Sequence, residues 1–121
     1  MAQARSQVLV VDDDADCRDV LCQVLEDEGY RVEGAANGED ALLSLREGAR
    51  PCLILLDLRM PVMDGVAFRQ VQRRDPDLAD IPVVIMTALG DPALEGERVL
   101  KKPIDLNALL ATLREVCGSA R

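Results

Sequence analysis

Val8-Leu9-Val10-Val11, Cys52-Leu53-Ile54-Leu55-Leu56 and Val83-Val84-Ile85-Met86 are unbroken apolar runs, and each stops on a polar residue. The first meets Asp12-Asp13-Asp14, the second Asp57 and the third Thr87. A shorter run, Val99-Leu100, meets Lys101-Lys102-Pro103. Short continuous Val/Ile/Leu runs bounded in this way read as strands covered on both faces, which is how a parallel sheet looks in sequence. Tyr30 to Ala35 reads as a further strand.

Between these runs the period changes to that of a helix. Cys17, Val20, Leu21, Val24 and Leu25 share one face over residues 15–28, and Gly29 supplies the stop. Asn37 is placed to cap a helix that turns Ala41, Leu42 and Leu45 inward and ends at Gly48. A third helix is predicted over residues 65–74, broken by Asp75-Pro76-Asp77. A last one, capped by Asp105, buries Leu106, Leu109, Leu110, Leu113 and Val116 until Gly118. Strand and helix alternate throughout, so the fold class is α/β with a central parallel sheet and right-handed crossovers. The segment from Ala88 to Lys101 is too short for that rhythm. A helix of about 11 residues, a strand of about 5 and loops of a few each would not fit. The helix before the last strand is therefore expected to be absent or vestigial.

Ligands of open α/β sheets bind outside the carboxyl ends of the strands. One rule thus gathers Asp12, Asp13, Asp57, Thr87 and a lysine at one place. Lys101 and Lys102 would point to opposite sides of a strand, so only one can enter. Each residue has an ordinary reading when taken alone. Asp12, Asp13 and Asp14 could be turn and cap residues, and a strand-end threonine or a surface lysine is commonplace. Asp57 is harder to dismiss, because a carboxylate closing an apolar run is costly without a partner. Asp14 and Asp16 fit better as helix N-terminal residues, where the macrodipole favours negative charge. Met60 and Met63 read as packing residues.

Composition narrows the chemistry. The 121 residues suit one domain, residues 1–121, and the balance of 14 basic and 22 acidic residues gives a net charge of −8. That balance is expected to exclude nucleic acid as a partner, which calls for a clustered basic footprint. No stretch has the length of a membrane span and no signal peptide is apparent, so a cytoplasmic location is expected, with no membrane partner. The absence of histidine removes Ser-His-Asp and Cys-His mechanisms. The cysteines at 17, 22, 52 and 117 form no CxxC pair and read as small packing residues. Three carboxylates in one cluster repel one another, and a hard divalent cation such as Mg²⁺ relieves this. An aspartate can then attack phosphorus, with lysine and threonine contacting the phosphoryl oxygens.

The segments VLVVDDDADCRDVL, LILLDLRMPVMDG, PVVIMTA and LKKPIDL together resemble a response-regulator receiver domain of two-component signalling, over essentially the whole chain. The resemblance implies a flavodoxin-like, doubly wound sheet of five parallel strands in the order 2-1-3-4-5. It implies that Asp57 is the phosphoacceptor, supplied by a sensor histidine kinase or a phosphotransfer protein. It implies Mg²⁺ held by Asp12, Asp13, Asp57 and the backbone carbonyl of Arg59, with Thr87 and Lys102 on the phosphoryl group and a cis Lys102-Pro103 peptide. The family has an aromatic residue three positions before the lysine, whereas Val99 stands here. Leu89 and Arg59 occupy positions at which the family tunes dephosphorylation, and bulky Leu89 is expected to slow it.

The expectation is therefore a stand-alone phosphorylatable switch, without DNA-binding output, whose only turnover is of its own phosphoryl group. The alternative is a receiver-like binding module that signals without phosphate. Separate enzymes fit less well. A haloacid-dehalogenase-type phosphatase needs a second aspartate where Arg59 stands, and a flavodoxin would not place Asp12-Asp13-Asp14 against a phosphate. A Walker-A loop is missing.

Overall fold

The apolar runs form strands because each can be buried on both sides. A computed structural model of the protein describes residues 7–58, 60, 62–88 and 97–118. The strands are β1 (Gln7–Val11), β2 (Arg31–Ala35), β3 (Leu53–Asp57), β4 (Val83–Thr87) and β5 (Arg98–Lys101). The helices among the described residues are α1 (Ala15–Asp27), α2 (Gly38–Arg46), α3 (Gly65–Arg74) and α4 (Leu106–Cys117). All strand pairs are parallel and the sheet order is β2-β1-β3-β4-β5, as expected. Whether a helix lies between β4 and β5 concerns residues 89–96, outside the described residues.

Alternation along each strand divides the core in two. Leu9, Val11, Ile54, Leu56 and Ile85 face α2 and α3, where Leu42, Leu45 and Phe68 meet them. Val8, Val10, Leu53, Leu55, Val84 and Met86 face α1 and α4, against Leu21, Leu25, Leu109 and Leu113. Met60 and Met63 pack into the first of these cores. The edge strand β5 departs from the two-sided burial expected of it, with Val99 39% exposed.

Each of the described helices starts on a side chain that accepts backbone N–H bonds, as capping chemistry demands. Asp14 caps α1, Asn37 caps α2, Asp64 caps α3 and Asp105 caps α4. At the β5 edge, Glu97 receives Arg69 Nε at 2.7 Å and Arg73 Nη2 at 2.8 Å, joining the entry of β5 to α3. The hydrogen bond from Arg69, acting against burial, holds the Glu97 carboxyl below its usual range.

The reading of all four cysteines as simple packing residues needs correction. Cys52 and Cys117 form a disulfide across 65 positions of sequence, while Cys17 and Cys22 are free and half-buried. The reason is topological. Helix α4 packs on β3 and its C-terminal end arrives beside Cys52, immediately before that strand, a proximity that cysteine spacing cannot reveal. Closing so long a loop restricts the unfolded chain by about 4 kcal/mol. Cys117→Ser is expected to lower the free energy of unfolding by about that amount. Urea titrations with and without reductant check this, and an unfolding midpoint indifferent to both changes would contradict it.

Candidate functional site

Strand β1 ends at Val11, and the chain turns into α1 through Asp12, Asp13 and Asp14. Asp12 is 0% exposed. Its N–H donates to the Ala35 carbonyl of the neighbouring β2 at 3.0 Å. Its Oδ1 accepts the Asp14 N–H at 2.9 Å. Its Oδ2 is buried and accepts no hydrogen bond. Strand β3 ends on Asp57, 6% exposed, while Asp13 is exposed to solvent. One carboxylate oxygen from each of Asp12, Asp13 and Asp57 lies within 4.8 Å of the others. Asp14 stays out of this group because its own carboxylate caps α1 through the N–H groups of Asp16 and Cys17.

The cationic side of the site comes from the end of β5. Lys102 Nζ stands 3.3 Å from Asp57 Oδ1 and 3.8 Å from Asp12 Oδ2, with the side chain 29% exposed. Lys101 is exposed, so the strand alternation selects Lys102. The Lys102 N–H donates to the Thr87 carbonyl at 2.9 Å, which fixes the end of β5 to that of β4. Thr87 closes β4 and is 6% exposed. The Lys102-Pro103 peptide is cis, as the resemblance implied. Arg59, whose carbonyl was expected at the cation, and Leu89 lie outside the described residues.

Gly65 shows why α3 can start so near Asp57. A Cβ there would stand 2.8 Å from the Asp57 carbonyl oxygen and 3.0 Å from Leu58 Cα. Only glycine lets the helix N-terminus press against that peptide. Sequence reading missed one more neighbour of the acids. Arg18 of α1 donates from Nη1 to the Asp12 carbonyl at 2.6 Å. Its spacing from Asp12 by six residues was visible, but nothing in the helical pattern set it apart from a solvent-facing arginine.

The electrostatics favour a cation. Three clustered carboxylates outweigh the Lys102 ammonium and the Arg18 guanidinium, and the buried Asp12 Oδ2, which has Lys102 Nζ only at 3.8 Å and no hydrogen bond, is incompletely satisfied. An all-oxygen donor set of this kind fits a hard divalent ion such as Mg²⁺. Burial pulls the Lys102 ammonium toward a lower pKa, but the carboxylates of Asp57 and Asp12 more than offset it, and the net direction is upward. At Cys17, burial and then the Asp12 carboxylate raise the thiol above its usual range, so a neutral thiol borders the site.

This arrangement of fold and site defines a class. The chain belongs to the response regulator receiver domain family, whose model matches residues 8–114. It is 41% identical over 121 residues to the DNA-binding response regulator MtrA of Mycobacterium tuberculosis, covering 94% of this chain and 51% of that protein. It is 37% identical over 115 residues to the DNA-binding dual master transcriptional regulator RpaA of Synechocystis, covering 89% and 47% respectively. The chain thus spans about half the length of these relatives. Among solved structures, the chemotaxis protein CheY4 of Vibrio cholerae matches with a TM-score of 0.85 at 33% identity, over 93% of this chain and 99% of that one. The receiver domain of the sensor histidine kinase PA1611 of Pseudomonas aeruginosa matches with a TM-score of 0.84 at 28% identity, over 96% and 100%. That structure has a magnesium ion coordinated in its active-site cleft.

The relatives correct one expectation. Nucleic acid was set aside as a partner on the strength of the acidic balance, yet MtrA and RpaA are DNA-binding regulators. The net charge of −8 is a property of this receiver segment. It carries no information about the half of such regulators that this chain does not span. Among the described residues no helix is long and apolar enough to cross a membrane.

The raised pKa of Lys102 has a defined consequence for pH. A group whose folded pKa lies above its unfolded value stabilises the fold fully below the unfolded value, near 10.4, and loses this contribution as pH rises through the folded one. The difference in unfolding midpoint between wild type and Lys102→Met is expected to stay flat from about pH 6 to about pH 9 and to shrink only above about 10.4. Thermal melts across that range check it. A difference that disappears by about pH 8 would show that the carboxylates do not hold the ammonium.

Proposed function

We propose that residues 1–121 are one receiver domain acting as a phosphorylatable switch, with Asp57 as phosphoacceptor. The observation that carries this reading is the meeting of Asp12, Asp13 and Asp57 within 4.8 Å, with Lys102 Nζ 3.3 Å from Asp57. An Asp57 carboxylate oxygen attacks the phosphorus of a phosphohistidine on a sensor kinase or phosphotransfer protein. The new bond is O–P, the P–N bond breaks, and the histidine nitrogen keeps the electron pair. Lys102 then pairs with a phosphoryl oxygen and Thr87 offers its hydroxyl as donor. Asp12, Asp13, Asp57 and the Arg59 carbonyl would hold Mg²⁺. When bound, the ion screens the charge of the incoming phosphoryl group. Turnover is confined to the domain's own phosphoryl group, in the cytoplasm, and the phosphorylated state changes binding of a downstream protein.

Val99 supports a second reading. It is an exposed aliphatic residue where the family couples an aromatic one to the threonine, which suits a receiver-like module that binds its partner without phosphate. One experiment separates the two. Intact mass is measured after incubation with acetyl phosphate, with and without Mg²⁺, beside Asp57→Asn. A single phosphoryl adduct that requires both Mg²⁺ and Asp57 is expected. A folded, Mg²⁺-binding protein that gains no adduct would overturn the switch in favour of the phosphate-independent module.

A further inference from the structure

The carbonyl of Asp12 belongs to the peptide that links Asp12 to Asp13, the unit that sets where both carboxylates point. Three contacts hold Asp12, one on the peptide before it, one on its side chain and one on the Asp12–Asp13 peptide itself. The Asp12 N–H is held by β2 through Ala35, and Asp12 Oδ1 is held by the Asp14 N–H. The third contact is the Arg18 guanidinium, 2.6 Å from the carbonyl, and it is the one made by a side chain from outside the turn.

A glycine in the neighbouring strand makes room for it. Glycine weakens a strand interior and commonly marks a close approach. A Cβ at Gly34 of β2 would stand 3.0 Å from Arg18 Cδ and 3.4 Å from both Cγ and Nε. Gly34 is the register partner of Val10 on β1, two residues before Asp12. The arginine stem therefore lies flat across β2 and reaches the Asp12 carbonyl from there. The glycine in the edge strand and the arginine in the helix account for each other.

We infer that Arg18 is a positioning residue, seated on Gly34, that holds the Asp12–Asp13 peptide so that both carboxylates face a divalent cation. The inference rests on the Mg²⁺ reading above. It has a sign that separates it from simple electrostatics. A positive charge near a cation site repels the ion, so an arginine acting only as a charge would strengthen Mg²⁺ binding about twofold on removal. An arginine acting by geometry does the reverse. Outer partners that orient metal ligands are commonly worth roughly tenfold or more in affinity.

Calorimetric titration with Mg²⁺ tests this on the wild type, Arg18→Ala, Arg18→Lys, Gly34→Val and the Arg18→Ala/Gly34→Val double variant, each checked for its fold by circular dichroism. Arg18→Ala is expected to weaken binding roughly tenfold, with partial recovery in Arg18→Lys. Gly34→Val keeps every charge, places a good strand former in an edge strand, and displaces the arginine stem. It is expected to weaken Mg²⁺ binding comparably, and the double variant is expected to lose no more than either single one. Should Arg18→Ala fail to fold, Gly34→Val decides alone. Tighter or unchanged binding in Arg18→Ala, or unchanged binding in Gly34→Val, overturns the inference while leaving the metal site intact. A wild type that binds no Mg²⁺ overturns the metal reading itself.

Discussion

Mutual repulsion among Asp12, Asp13 and Asp57 is the constraint around which this molecule is organised. Parallel strands in register bring β1 and β3 to the same carboxyl end of the sheet, so two buried carboxylates meet there whatever their charge. The surrounding structure answers that repulsion in several ways. Lys102 enters from the end of β5 and is pinned through its own N–H to the Thr87 carbonyl. The Asp14 N–H takes one oxygen of Asp12. The second oxygen, Asp12 Oδ2, is buried with no hydrogen bond and with Lys102 Nζ only at 3.8 Å, which leaves room for a cation at closer range. The same imbalance of charge that makes the site costly in isolation favours a hard divalent cation there.

Much of this was legible in the sequence because the signals were local. An apolar run that stops on Asp57 states both a buried strand and the place where a carboxylate closes it. Asn37 and Asp105 announce the starts of α2 and α4 because capping depends on residues only two or three positions away. Strand alternation admits only one of Lys101 and Lys102, and the family resemblance supplied the choice of Lys102. Contacts that join distant parts of the chain could not be read this way. The Cys52–Cys117 bridge depends on where α4 ends relative to β3. The clasp of Arg69 and Arg73 on Glu97 depends on α3 lying beside the entry to β5. The seat of Arg18 on Gly34 needs the packing of α1 against β2, and in sequence it is an arginine and a glycine sixteen positions apart.

Composition misled where it was extended beyond the segment it describes. The acidic balance describes this sheet-and-helix unit alone. It does not reach to regulators such as MtrA and RpaA, of which a chain like this one spans about half. Charge is a property of the surface that carries it, and an inference about partners extends no further than that surface.

Amide chemical shifts followed through a Mg²⁺ titration by nuclear magnetic resonance report whether the carboxyl ends of β1, β3 and β5 act as one cation site. Saturable shifts that share one binding curve and centre on Asp12, Asp13, Leu58 and Lys102 are expected. Small, non-saturating shifts spread over the acidic positions of α1, such as Asp16, Asp19 and Glu26, with none concentrated at the strand ends, would contradict this.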